Sequence, residues 1–190
     1  MQLKKNLHLT YCTNIHPGQD WKNTFESIKR HVLGIKNEVS KNQAFGLGLR
    51  LSNKASEELD MGSNLTDFKK WLNDNDLYVF TMNGFPYGNF HDERVKDLVH
   101  APDWTTDNRL NYTKRLFRQL SELIPAGLNG GISTSPITYK YWHKTLLETK
   151  NAFEAGAKNM LEVAKQLFKI EQATGNYLHL DIEPEPDGLL

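Results

Sequence analysis

The sequence alternates between five short β-rich runs and segments with helical periodicity. Each run is closed by Gly, Pro, Asn or Ser, and four of the runs are followed by a helical segment before the next run begins. This alternation is typical of a parallel sheet, in which every loop from a strand to a helix opens at the same edge. We therefore predict an α/β fold with strands at 7–14, 45–51, 77–83, 131–135 and 177–183.

The helical segments carry recognisable start and stop signals. Asp20 is placed to cap a helix over 20–39, and Ser52 to cap a short turn. Further helices are predicted at 65–72, 107–124 and 146–174. A Thr145-x-x-Glu148 capping box opens the last of these, and Gly175 closes it. We expect its sheet-packing stripe to consist of Leu146, Phe153, Met160, Leu161, Ala164, Leu167 and Phe168.

Two architectures compete for this pattern. A doubly wound sheet of flavodoxin type has the right strand count, but the last run has no covering helix. In addition, Gly46 and Gly48 lie inside a strand without the third glycine of a phosphate-binding loop. Strand onsets are about 42 residues apart, so eight units would take roughly 340 residues, within the range of (β/α)8 barrels. We predict that residues 1–190 form one domain: a TIM barrel truncated after the fifth strand, with four helical connections.

Composition narrows the class of partner. Lys plus Arg total 23 and Asp plus Glu total 23, which disfavours nucleic-acid binding and a nuclease function. The single cysteine, Cys12, excludes an intrachain disulfide, and no apolar run reaches the roughly 18 residues of a membrane span. We expect a cytoplasmic protein with a small-molecule metabolite as its partner, no nucleic acid and no direct membrane insertion.

Two predicted strands place polar groups on one face. In the run 45–51, Arg50 lies opposite the apolar set, where it either forms a structural ion pair across the barrel or binds substrate or carboxylate. In the run 177–183, Tyr177, His179, Asp181 and Glu183 share a face that is too polar for an ordinary core. Charges that pair or bind a metal avoid most of the cost of burial, so this face predicts a site.

The segment Ile182-Glu183-Pro184 resembles the metal-ligand strand of the xylose isomerase-like superfamily of sugar isomerases and epimerases. More closely, the whole chain resembles the N-terminal half of the EboE-type metabolite traffic proteins of that superfamily. The segments that carry this resemblance are 11–18 with Trp21, 45–52, 78–91, 102–104, 132–135 and 183–186.

The resemblance implies a TIM barrel and a divalent metal ion (Mn, Mg, Co or Zn) held by carboxylates and a histidine. Glu183 matches the first metal ligand, and the later ligands belong to strands beyond this chain, so we expect the fragment to be inactive and to bind no ion tightly. Several superfamily members isomerise or epimerise sugars through an enediolate intermediate, so the complete protein is expected to be either such an enzyme or a protein without turnover. EboE-type proteins are linked to a prenyltransferase-like membrane protein, which suggests a hydroxylated or prenylated metabolite. The alternative is a non-catalytic carrier that uses the same cavity.

Two residues are candidates for proton transfer. His16, at the end of the first strand, is either a proton shuttle or a residue that fastens its own loop. Glu185 is either a second carboxylate for proton transfer or part of a stiff loop between Pro184 and Pro186. His8, His31, His100 and His143 are interpreted as ordinary surface or core residues. His91 lies in a polar segment that either covers the site or is an exposed loop.

Five residues are candidates for substrate binding besides Arg50. Asn83, Phe85 and Tyr87 form either a substrate wall or simply a rigid Gly/Pro turn. Ser133 and Ser135 are placed to hydrogen-bond a hydroxylated substrate or a phosphate at the end of the fourth strand. Neither serine has the Gly-x-Ser-x-Gly elbow or a paired base that would make it a nucleophile.

Overall fold

A computed structural model describes residues 1–5, 7–88 and 96–190. Within these ranges the strands are β1 (Gln2–Lys4), β2 (Leu7–His8), β3 (Thr10–Cys12), β4 (Phe45–Arg50), β5 (Leu77–Asn83), β6 (Gly130–Thr134), β7 (Thr138–Tyr139), β8 (Leu178–Ile182) and β9 (Gly188–Leu189). The α-helices are α1 (Trp21–Val39), α2 (Asn53–Leu59), α3 (Asn64–Asp74), α4 (Asp107–Leu123) and α5 (Leu146–Thr174). Short 3₁₀ helices lie at Thr13–Ile15, Lys96–His100 and Lys140–Trp142.

Five parallel strands form the central sheet in the order β3-β4-β5-β6-β8, which follows the chain. Flavodoxin-type sheets reverse their strand order at a switch point, and the described strands show no such reversal. Right-handed crossovers between successive parallel strands place the connecting helices on one side of the sheet. We call this the helix side and the opposite one the open side. The predicted α/β class with a parallel sheet is confirmed.

The prediction of one strand over 7–14 is wrong, because the structure divides this segment into β2, β3 and the start of a 3₁₀ turn. Leu7 and His8 pair antiparallel with β1, whereas Thr10 to Cys12 pair in parallel with β4. A 3₁₀ turn then begins at Thr13. The chain therefore changes partner within a few residues, and its amino-terminal hairpin β1–β2 lies beside the amino ends of the sheet strands.

The helix caps follow the sequence prediction. The side chain of Asp20 accepts a hydrogen bond from the backbone N–H of Asn23, and Ser52 accepts one from Ala55. Both bonds of the capping box between Thr145 and Glu148 are present. Each cap satisfies N–H groups that have no partner within the helix.

The helix side of the sheet supplies most of the hydrophobic core. Alternate residues of β4 point into it, and the adjacent strands add the residues that lie in register with them. The core cluster joins them to apolar residues of α1 to α5, and the most completely buried members include Ile28, Val32, Leu47, Leu49, Phe68, Val79, Leu116, Phe117, Ile132 and Val163.

The predicted apolar stripe of α5 is only partly correct. The residues that α5 buries are Ala152, Gly156, Asn159 and Val163, whereas Leu146 is 91% and Phe168 63% exposed. Small residues form the buried face because they let α5 pack closely against the residues beneath it. At Gly156 a Cβ atom would lie only 2.6 Å from Ile137 Cγ2, so a larger residue would not fit there. The larger apolar side chains of α5 therefore leave an exposed apolar surface.

A bulge in β5 changes which of its side chains share a side. Leu47 pairs with Val79 but Gly48 pairs with Thr81, so Phe80 is the extra residue. The Phe80 ring reaches to 3.1 Å from the ideal Cβ position of Gly46, on the open side. Without this bulge, Asn83 would point to the helix side rather than toward the candidate site.

Candidate functional site

A row of polar residues crosses the open side near the carboxyl ends of the strands. Arg50 pairs in register with Asn83, Asn83 with Ser133, and Ser133 with Asp181. Residues in register on neighbouring strands are about 4.8 Å apart. These four residues, which we call the polar row, therefore lie side by side at the edge where parallel sheets place their ligands.

Arg50 is buried and hydrogen-bonded to two loops, the one between β3 and α1 and the one after β5. Its guanidinium donates hydrogen bonds to the carbonyl oxygens of Gly18 (3.2 Å), Pro86 (3.5 Å) and Gly88. Its backbone N–H donates to Thr13 Oγ1 at 3.0 Å. Burial lowers the pKa of Arg50, and the nearby Tyr112 opposes this shift. These contacts hold the loops at the carboxyl edge together, and the described acceptors of the guanidinium are carbonyl groups.

Glu183 follows β8 and turns back toward the polar row. Its backbone N–H continues the ladder by donating to Thr134 O at 2.9 Å. Burial raises the pKa of the half-buried Glu183 carboxyl, a hydrogen bond with Ser133 lowers it, and the adjacent Glu185 raises it. The two carboxyl groups therefore lie side by side on the open side, with the Ser133 hydroxyl beside Glu183.

Glu183 is expected to make stability depend on pH. Because the pKa of Glu183 is raised above its ordinary value of 4.5, the folded chain binds this proton more tightly than the unfolded chain. The free energy of unfolding should fall as pH rises from 4.5 through the folded pKa. Glu183→Gln should remove that fall and be more stable near neutral pH, by no more than about 1 kcal/mol because the group is only half-buried.

The measurement is urea unfolding of wild type and Glu183→Gln across the acidic range. Glu171→Gln, at an exposed position on α5, is the control and should track wild type. A Gln variant that is less stable than wild type at neutral pH would show that the charged carboxylate is favoured, contrary to this account.

His16 lies at the outer edge of the sheet. Its Nε2 is 2.7 Å from Tyr11 Oη, and its ring stacks on His31 with the ring centres 4.2 Å apart. Tyr11 pairs with Leu47, which points to the helix side. The structure thus stacks His16 on α1, as the loop-fastening interpretation expects, and His16 and Arg50 also line one small cavity beside α1.

The loop after β5 folds its aromatic side chains inward. Asn83 Oδ1 accepts a hydrogen bond from the Phe85 N–H at 2.8 Å, and the Phe85 ring is buried beside His100. The Tyr87 ring packs edge-on against Tyr112, with the ring centres 5.0 Å apart. Of the three predicted wall residues, only Asn83 belongs to the polar row. The loop continues into 89–95, so His91 lies outside the described residues.

Two further histidines belong to this edge, although the sequence assigned neither a role. His179 Nδ1 is 2.9 Å from Asp181, its neighbour on the same side of β8. His100 is 4% exposed and its Nδ1 has no hydrogen-bond partner among the described residues. Burial lowers the pKa of His100, and Glu185 is the largest opposing influence. The polar alternation of β8 marked His179, whereas no local pattern marked His100.

Ser135 is fully buried, and its hydroxyl has no hydrogen-bond partner within the described ranges.

The described residues offer too few metal ligands for a complete metal site. No three His, Cys, Asp or Glu side chains of the described residues converge on a common point. The donors present near Glu183 therefore do not by themselves fit a divalent ion, which requires several converging ligands.

Comparisons with known proteins add no assignment. No family model, curated protein or solved structure matches the chain. None of the described helices combines the length and apolarity needed to cross a bilayer.

A wide depression lies at the other edge of the sheet. It measures about 1040 Å³ and is lined by the β1–β2 hairpin, by Tyr78 and Phe80, and by residues 125–129 that precede β6. His8 Nδ1 lies 2.8 Å from Tyr78 Oη within it. Functional groups of parallel sheets gather at the carboxyl edge, so the polar row rather than this depression is the candidate site.

Proposed function

We propose that this chain forms part of a (β/α)8 barrel of the xylose isomerase-like type, similar to the EboE-type metabolite traffic proteins. The sequential parallel order of the five strands supports this, since a barrel sheet needs no reversal. Glycines on the open side support it too. Gly46, Gly48 and Gly131 leave room for side chains of neighbouring strands to lie across the sheet, as in a filled barrel interior.

The carboxyl edge of this barrel is proposed to act on a small hydroxylated or prenylated metabolite, with Glu183 holding a divalent ion. The observation that carries this proposal is the half-buried Glu183 carboxyl beside Ser133, turned toward the polar row. A partly desolvated carboxyl group with a raised pKa at a strand end is characteristic of functional sites. When bound, Mn, Mg, Co or Zn would polarise a substrate oxygen. Further ligands must come from outside the described residues.

The test is metal analysis of the protein with its ring of strands complete. Wild type loaded with Mn²⁺ and passed through a desalting column should retain about one ion per chain, and Glu183→Gln should retain at least about tenfold less. Glu171→Gln should retain as much as wild type. A wild type that retains no Mn²⁺, Co²⁺ or Zn²⁺ would end the metal proposal.

A non-catalytic carrier of the same metabolite is the second candidate. The inward packing of Phe85 and Tyr87 and the engagement of Arg50 by carbonyl groups favour it, because they leave fewer groups for chemistry. Turnover of a sugar or sugar phosphate by the complete protein would exclude the carrier. A cytoplasmic location and a functional link to a prenyltransferase-like membrane protein remain part of the proposal.

A further inference from the structure

His179 and Asp181 form a hydrogen-bonded pair on the open side of β8. Nδ1 of His179 is 2.9 Å from each carboxylate oxygen of Asp181. A carboxylate only accepts hydrogen bonds, so Nδ1 carries the hydrogen of this bond. The bond therefore fixes both the imidazole tautomer and the orientation of the carboxylate.

Gly131 makes this arrangement possible. It pairs in register with His179, and its ideal Cβ position lies 2.3 Å from His179 Cε1 and 2.7 Å from Asp181 Oδ2. Any larger residue on β6 would displace both side chains. The imidazole and the carboxylate thus lie across the neighbouring strand, and the Asp181 side chain remains 56% exposed on the open side.

The rest of the polar row supplies complementary groups. Asn83 uses its Oδ1 to accept the Phe85 N–H, and its amide NH₂ has no partner among the residues described. One strand separates β5 from β8, so the Asn83 amide and the Asp181 carboxylate start about 9–10 Å apart. A chain of four to six hydroxylated carbons is long enough to hydrogen-bond both.

We propose that Asp181 is a ligand-binding residue that accepts hydrogen bonds from two adjacent hydroxyl groups, and that His179 is its positioning residue. The ligand class is a small polyol or sugar whose vicinal diol faces Asp181 and whose other end meets Asn83. A carboxylate accepts such charge-assisted bonds through both oxygens, and prior fixing by His179 lowers the entropy lost on binding. This inference rests on the proposed metabolite-binding function of the carboxyl edge.

The pair is tested first without any ligand, by ¹⁵N NMR of the imidazole ring in the 190-residue chain. At about pH 8, where histidine is normally neutral, His179 should show the Nδ1–H tautomer. Asp181→Ala, which removes the acceptor, should abolish the preference for this tautomer. An Nε2–H tautomer in wild type would overturn the inference.

The binding role is tested with methyl β-D-ribofuranoside and its 2-deoxy analogue, because the 2,3-diol is the only vicinal diol of the riboside and the analogue lacks it. Titration followed by NMR shifts should give weak binding, with the riboside favoured by about tenfold, the value of one charge-assisted hydrogen bond. Asp181→Asn and Gly131→Ala should each lose that preference. His179→Gln should reduce it, because the carboxylate remains but is no longer held.

Matched controls exist on the helices. Asp74 is also 56% exposed and bound to one partner, Lys70, so Asp74→Asn should retain the preference. Gly34 has no atom within 4 Å of its ideal Cβ position, so Gly34→Ala controls for Gly131→Ala. Unchanged discrimination in Asp181→Asn, or no binding of either sugar by wild type, would overturn the inference. If Asp181→Asn in the complete protein still retains Mn²⁺, the proposed metal site stands, and a failed sugar titration counts against this inference alone.

Discussion

Arg50→Met is expected to lower the free energy of unfolding by about 3 kcal/mol. The side chain is 3% exposed, and its guanidinium donates to the carbonyl oxygens of Gly18, Pro86 and Gly88. Methionine keeps most of the volume but no donor, so the buried carbonyl group of Gly18 loses its partner at about 1–3 kcal/mol, and the less buried carbonyl groups of Pro86 and Gly88 each lose a hydrogen bond. Relief of the buried charge offsets part of this loss. The measurement is the urea midpoint at constant m-value.

Arg30→Met provides the control, because Arg30 is exposed on α1 and its loss should change stability by less than about 0.5 kcal/mol. Arg50→Lys should fall between wild type and Arg50→Met, since an ammonium group keeps the charge but not the planar fork. A loss below about 1 kcal/mol for Arg50→Met would favour the other sequence interpretation, in which the guanidinium serves substrate.

Local pattern predicted the elements that depend on local physics. The alternation of β4 and β8 predicted which residues share a side, and the caps at Asp20 and Thr145 predicted where helices begin. These features succeed because side-chain alternation and capping bonds act within a few residues. The polar alternation of the run 177–183 also predicted that Asp181 and Glu183 lie on one side of the sheet.

Contacts between residues far apart in the chain could not be predicted from the sequence pattern. The partners of Arg50 lie 32 to 38 residues away, in loops whose approach no periodicity encodes. The bulge at Phe80 adds one residue to β5 and turns Asn83 to the open side, whereas strict alternation from Leu77 would turn it to the helix side. The buried face of α5 was mispredicted because apolar residues surround the helix, and close approach at Gly156 decides the orientation.

The uncovered edges of the sheet should make the isolated chain associate. Strands β3 and β8 each pair on one side only among the described strands, so each presents unpaired backbone groups. Ile182, the last residue of β8, is exposed, and so are the α5 residues Leu161 and Phe168. In a closed barrel the next strand and helix would cover these surfaces. Without that strand and helix, the chain can bury these apolar surfaces only by associating with another copy of itself.

Sedimentation velocity of the 190-residue chain should therefore show association that grows between about 5 and 500 μM, the range in which exposed apolar surface drives self-association. Leu161→Lys combined with Phe168→Lys should shift the chain toward monomer with little change in stability, because neither side chain is buried. Gln172→Lys adds charge at another exposed position of α5 and should leave association unchanged. A monomer at every concentration with a sharp two-state melt would contradict the open-ring interpretation, since a sheet stable with both edges free would need no further strands.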